Sequence, residues 1–167
     1  YPKYYGLAPK WQFNHEPDPS GFSVNTEEGY VQISTTKVTD QLLQATNTLT
    51  QRMQFPNSSA EVTVDATNLN DGDIAGFCAL QGAYGFVGIT KESGNFYLVV
   101  RTKPVTDLTM QTFEPNNTEE KEWERLPLDN PKVTLKIDAD FWQMKDIVRF
   151  YYQQDGQFTQ IGPEHQV

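Results

Sequence analysis

The run Glu120-Lys121-Glu122-Trp123-Glu124 carries three carboxylates at alternate positions. In an extended strand, alternate side chains share one face and successive members of the series lie about 7 Å apart. Glycoside hydrolysis by paired carboxylates uses separations of about 5–5.5 Å when configuration is retained and about 6.5–9.5 Å when it is inverted. Glu120 and Glu124 are therefore the residues to weigh as acid and as nucleophile or base. Their neighbours argue otherwise: Lys121 and Arg125 flank Trp123, and the run follows Asn116-Asn117-Thr118. That is the composition of a solvated edge strand, whose charges discourage pairing with another chain. No residue is assigned a catalytic role.

Histidine offers little more. His15 and His165 are the only two; a general base or metal ligand is the functional reading of either. Neither has the His-x-x-x-His or carboxylate spacing of a zinc site. Asp71 and Asp73, with Asn68 and Asn70, place oxygen ligands at alternating positions, which a calcium ion can use. An ordinary Asp-Gly turn accounts for the same residues, and no other metal or cofactor is indicated. Gly-x-Ser-x-Gly, Walker and dinucleotide strings do not occur, so nucleophilic and cofactor chemistry have no support. Cys78 is the single cysteine, which excludes an intrachain disulfide, and its setting in Ile74-Ala75-Gly76-Phe77-Cys78-Ala79-Leu80 reads as a buried strand position.

The formal net charge is −9 and the 13 basic residues are scattered, which argues against a nucleic acid partner because phosphate binding needs clustered cations. No stretch approaches the roughly 20 apolar residues of a membrane-spanning helix. Aromatic residues make up 13% of the chain, enough for both a core and a sugar platform. Pyranose rings stack on aromatic faces while amides and carboxylates take their hydroxyls, so the composition suits a neutral glycan.

The elements that must position these residues alternate apolar and polar at period two, as half-buried strands do. Tyr30–Ser34, Ala60–Asp65, Phe96–Val100, Val133–Ile137 and Ile147–Tyr152 are the strongest segments. Glu28-Gly29, Asp71-Gly72, Ser93-Gly94-Asn95 and Asp155-Gly156 supply the turns. A helical turn is expected only around Asp40–Leu43, and Pro17–Gly21 reads as an ordered loop between the first two strands. The chain of 167 residues is expected to be a single all-β domain, an antiparallel sandwich or barrel.

Four strings in order carry a resemblance: Trp11-Gln12-Phe13-Asn14-His15-Glu16-Pro17, Asn47-Thr48-Leu49-Thr50-Gln51-Arg52, Asn70-Asp71-Gly72-Asp73-Ile74-Ala75-Gly76 and Gln81-Gly82-Ala83-Tyr84-Gly85-Phe86-Val87-Gly88. Together they resemble the C-terminal β-sandwich attached to the catalytic propeller of glycoside hydrolase family 43 β-xylosidases and α-L-arabinofuranosidases. The resemblance implies a two-sheet antiparallel concanavalin A-like jelly roll. It also implies an accessory role beside a five-bladed catalytic propeller in the same polypeptide, with xylan or arabinoxylan oligosaccharides as ligands. Trp11, Asn14, His15, Arg52 and Tyr84 are the candidate carbohydrate or domain-interface residues, and Arg52 is expected to make a charge-assisted bond. An alternative is direct xylan capture, as by an appended binding module, through Trp11, Tyr84 and neighbouring surface aromatics. Family members carry a further hairpin and a final strand, so the chain is expected to be a segment whose Phe150, Tyr151 and Tyr152 would border the absent strands.

Overall fold

The computed structural model describes residues 6–104 and 119–167; Tyr1 to Tyr5 and the Asn116-Asn117-Thr118 string lie outside them. The chain divides into two compact units, residues 1–52 and 53–167. In the first, the short strands β1 (Gln12–Phe13), β2 (Phe22–Asn25), β3 (Tyr30–Ile33) and β4 (Leu49–Thr50) form two antiparallel pairs. β1 pairs with β4, Gln12 opposite Thr50 and Phe13 opposite Leu49. Thus the Trp11 and Asn47 strings, distant in sequence, lie side by side. The Pro17–Gly21 loop is ordered as expected: Asp18 caps the 3-10 turn Pro19–Gly21, its carboxylate accepting from Ser20 N at 2.9 Å and Ser20 Oγ at 2.6 Å. Asn47 locks that loop from the other string. Its Oδ1 accepts from Asp18 N at 2.9 Å and its Nδ2 donates to Asp18 O at 3.0 Å. It does so from a φ of 61°, a left-handed conformation that asparagine tolerates better than most residues.

The second unit holds β5 (Asn57–Asp65), β6 (Ile74–Leu80), β7 (Tyr84–Glu92), β8 (Asn95–Lys103), β9 (Lys121–Leu128), β10 (Lys132–Asp140), β11 (Ile147–Gln154) and β12 (Gln157–Gln166). They form two four-stranded antiparallel sheets, ordered β12-β11-β10-β5 and β6-β7-β8-β9. Val87, Ile89, Leu98 and Val100 from one sheet meet Leu135, Ile137, Val148, Phe150 and Ile161 from the other in one apolar cluster. This is the two-sheet β-sandwich the alternation and the resemblance anticipate. Full burial of each such side chain is worth about 1.5–3 kcal/mol. Tight turns close the hairpins, with positive φ at Ser93-Gly94 and Asp155-Gly156 where the sequence placed them.

β7 does not alternate, because Tyr84 to Thr90 are buried on both faces. β11 also departs from expectation. It sits between β10 and β12, with Phe150 opposite Ile161 and Tyr152 opposite Thr159, so the neighbour of Phe150–Tyr152 is a strand of this chain and not a segment beyond Val167.

Candidate functional site

Glu122 and Glu124 lie on β9, an edge strand as the composition suggested, and Glu120 immediately precedes it. A bulge separates the pairs Val100–Glu124 and Arg101–Glu122, leaving Trp123 as the extra residue. An extra residue reverses the alternation beyond it. Glu124 therefore stands opposite the core residue Val100, and its Oε2 accepts the backbone N–H of Gly162 in the other sheet at 2.8 Å. Glu122 falls on the opposite side with Arg101. The expectation that the three carboxylates share a face is corrected by this bulge, and Glu124 is not part of a carboxylate pair.

The remaining two are held in an ion network. Arg101 Nη1 donates to Glu120 Oε1 at 3.3 Å and its Nε to Glu122 Oε2 at 2.9 Å, while Arg125 takes Glu122 through Nε at 2.7 Å and Nη2 at 3.0 Å. Arg125 Nη1 also reaches Glu92 at 2.8 Å. The Tyr84 hydroxyl donates to Glu120 Oε2 at 2.6 Å. Trp123 donates through Nε1 to Thr102 Oγ1 at 2.8 Å, and the Lys121 ammonium sits 3.4 Å from its ring centroid.

Among the resemblance residues, Tyr84 is fully buried and presents no ring face to solvent, which corrects its assignment as a sugar platform. Trp11 is half-buried just before β1, its backbone N–H donating to Ala8 O at 3.1 Å. His15 Nε2 lies 2.5 Å from Leu43 O; a carbonyl only accepts, so Nε2 carries the proton. Asn14 Nδ2, 3.3 Å from the same nitrogen, is then a second donor beside it and makes no bond there. The Asn14 backbone N–H instead donates to Thr48 O at 3.0 Å. His15, Glu16, Lys37, Leu43, Gln44 and Thr46 line an open depression of about 370 Å³. Arg52 is exposed and makes no hydrogen bond or ion pair with the described residues, so the expected charge-assisted bond does not form.

Asp71 Oδ1 accepts from Gly94 N and Asp73 Oδ2 from Asn70 N, each at 3.0 Å. Both carboxylates thus brace the turn, and no group of three or more His, Cys, Asp or Glu side chains converges among the described residues. Two roles escaped sequence reasoning: the lock that Asn47 places on the Pro17–Gly21 loop, and the bond from the Tyr84 hydroxyl to Glu120, which the sequence offers only as a candidate acid or nucleophile.

Residues 5–167 match the family described as the beta xylosidase C-terminal concanavalin A-like domain. The chain belongs to that family. Among solved structures it is similar to a bifunctional GH43-CE protein of Bacteroides eggerthii, with 31% identity, a TM-score of 0.83, and coverage of 95% of this chain and 19% of that one. It is also similar to a GH43 glycoside hydrolase engineered to display both endo-xylanase and exo-arabinofuranosidase activity, with 26% identity, a TM-score of 0.84, and coverage of 95% and 31%. The chain therefore spans only a minor part of either neighbour. No curated protein matches it.

In this concanavalin A-like domain the titration of Glu122 runs against acid catalysis. Hydrogen bonds from Arg125 and then Arg101 hold the Glu122 carboxyl below the usual range, although burial opposes them. A general acid needs the reverse shift. Burial pushes the Cys78 thiol up to about 11, which leaves it protonated and inert. His165 is buried, its Nε2 has no partner among the described residues, and burial lowers its pKa below 6.5.

The Glu122 and His165 shifts give the same sign of pH dependence. A depressed folded-state pKa contributes stability above the unfolded value that is lost as pH falls toward the folded one. The His165 contribution should therefore decay on acidification from pH 6.5 and the Glu122 contribution below pH 4.5. Thermal midpoints measured from pH 7 to 3 should fall in both windows. His165→Leu is expected to flatten the first and Glu122→Gln the second, the latter by at most about 1 kcal/mol because the pair is partly exposed.

Proposed function

We propose that this domain is the non-catalytic accessory sandwich of a GH43 hydrolase acting on xylan or arabinoxylan oligosaccharides. It packs against the catalytic propeller of the same polypeptide and restricts the propeller's pocket. The observation that carries this reading is the family match across residues 5–167, joined to two GH43 neighbours in which a chain of this size is a minor part. The bonds from Arg125 and Arg101 that keep Glu122 ionised on β9 support it. Arg52, exposed and without a partner among the described residues, is suited to bonds made with another surface. The His15 depression, with Lys37 and Glu16 on its walls, is polar and open in the same way.

The test is made in the whole enzyme that carries the domain. Arg52→Ala should lower kcat/KM on xylo-oligosaccharides about tenfold, roughly 1.4 kcal/mol of transition-state binding, mostly through KM. It should leave the domain's own melting unchanged, because the side chain makes no bond within it. Unaltered kinetics for both Arg52→Ala and His15→Gln would refute pocket restriction by this surface. A second reading, glycan capture by the domain itself, is favoured by one feature of the other sheet.

A further inference from the structure

The outward side of the β12-β11-β10-β5 sheet brings polar and aromatic side chains together in register. Asp138 stands opposite both Ser59 on β5 and Arg149 on β11, and Lys136 stands opposite Tyr151. The Lys136 ammonium lies 5.2 Å from the Tyr151 ring centroid and 5.3 Å from that of Phe158 on β12. Two residues further along β10, Asn57, Ser58, Ser59, Asp138, Asp140 and Arg149 line a shallow depression of about 350 Å³. Beyond it the strand ends in a 3-10 turn at Trp142–Met144, where Asp140 Oδ1 accepts the Trp142 N–H at 3.0 Å. Trp142 is 53% exposed and Met144 87%.

The turn holds Gln143, Met144 and Asp146 at φ values of 55°, 57° and 47°, a left-handed conformation that non-glycine residues adopt at a cost. Packing alone would favour turning a tryptophan inward. Here a constrained turn leaves it half exposed, two residues along the chain from Asp140 of the depression.

The cations of this face are matched by carboxylates: Lys136 with Asp138 at 3.2 Å, Lys145 with Asp140 at 2.9 Å, and Arg149 with Glu164. A face whose lysine and arginine charges are taken up by its own carboxylates, with Glu61 opposite Lys136 as a further one, offers no cationic field to an anionic ligand. It offers hydroxyl, amide, carboxylate and guanidinium groups at fixed spacing, flanked by aromatic rings. Neutral sugars are recognised by that combination.

We propose that this face binds a neutral oligosaccharide, with Trp142, Tyr151 and Phe158 supplying ring surfaces and Asn57, Ser59, Asp138 and Arg149 supplying hydrogen bonds. The site lies wholly within the second unit and does not involve Trp11 or Tyr84. That the sugar is a pentose polymer rests on the proposed function; the site itself does not.

Isothermal titration of the chain with xylohexaose and with cellohexaose tests both statements. Trp142→Ala and Tyr151→Ala should each weaken binding of xylohexaose at least tenfold, whereas Trp142→Phe should keep it within about threefold. Trp123→Ala, which removes an exposed tryptophan from the other sheet, should leave it unchanged. Circular dichroism melts of each variant establish that it is folded. Binding of cellohexaose without xylohexaose, still lost in Trp142→Ala, would uphold the site and refute the xylan assignment. No binding of either sugar by the unaltered chain would overturn the proposal, as would equal losses in Trp142→Ala and Trp123→Ala. An effect of Trp142→Ala confined to association with a catalytic domain would overturn it in favour of a protein interface.

Discussion

Replacing Phe150 with alanine is expected to destabilise the sandwich by about 3–5 kcal/mol, the range for deleting a buried aromatic ring and leaving a cavity. At about 2–4 °C per kcal/mol for a chain of this size, the midpoint should fall by roughly 10 °C. Phe150 is fully buried and belongs to the cluster that joins the two sheets. Its ring fills the space above Gly85 on β7, where an added Cβ would lie 2.8 Å from Phe150 Cζ and 2.8 Å from His165 Cδ2.

Gly85 is thus small because Phe150 and His165 are large, and Gly85→Ala should itself cost about 1–3 kcal/mol by overpacking. The two sites are in contact, so their effects should not add. In the double variant the alanine methyl at 85 fills part of the space the ring vacated, and the combined loss should be smaller than the sum. Urea denaturation of the four species measures this. A loss below 1 kcal/mol in Phe150→Ala, or strict additivity, would mean that the sheets do not pack as described.

Much of the fold could be read from the chain because its half-buried strands alternate. β3, β5, β8, β10 and β11 appeared from apolar–polar alternation in the sequence, although only β10 and β11 alternate in burial, β3 being exposed throughout and β8 buried at Leu98, Val99 and Val100 alike; the turns followed from Asp-Gly and Ser-Gly chemistry. β7 did not, since a strand covered on both faces has no polar side to alternate with; only the likeness of the Gln81 to Gly88 string placed it. β12 was hidden by its own composition. Gln157–Gln166 contains Gly162 and Pro163 and few apolar residues, and only Ile161 and His165 are buried along it.

The candidate site was less legible than the fold. Alternation predicted one face for Glu120, Glu122 and Glu124, but a single bulged residue moved Glu124 to the other side, and bulges leave no simple mark in sequence. Burial of Tyr84 depended on β7 being covered on both faces, so its composition could not distinguish a platform from a packed ring. Arg52 shows the opposite error: a string that ends in arginine suggested an internal bond, yet the side chain is exposed. The aromatic face around Trp142 arises from the register of β10, β11 and β12, which places Lys136, Tyr151 and Phe158 together only after pairing.

The second large effect expected is an absence of turnover. A retaining or inverting glycosidase needs one carboxyl protonated and one ionised across the scissile bond. On β9 the bulge separates Glu124 from Glu122, Arg125 and Arg101 keep Glu122 ionised, and Glu120 is engaged by Arg101 and the Tyr84 hydroxyl. Removing either carboxylate should consequently change stability and not chemistry. The direct measurement is release of the aryl group from aryl β-xyloside and aryl α-L-arabinofuranoside by the purified chain, alongside its Glu120→Gln and Glu124→Gln variants. The accessory account predicts rates indistinguishable from buffer for all three proteins; turnover by the unaltered chain that is lost in either variant would contradict it.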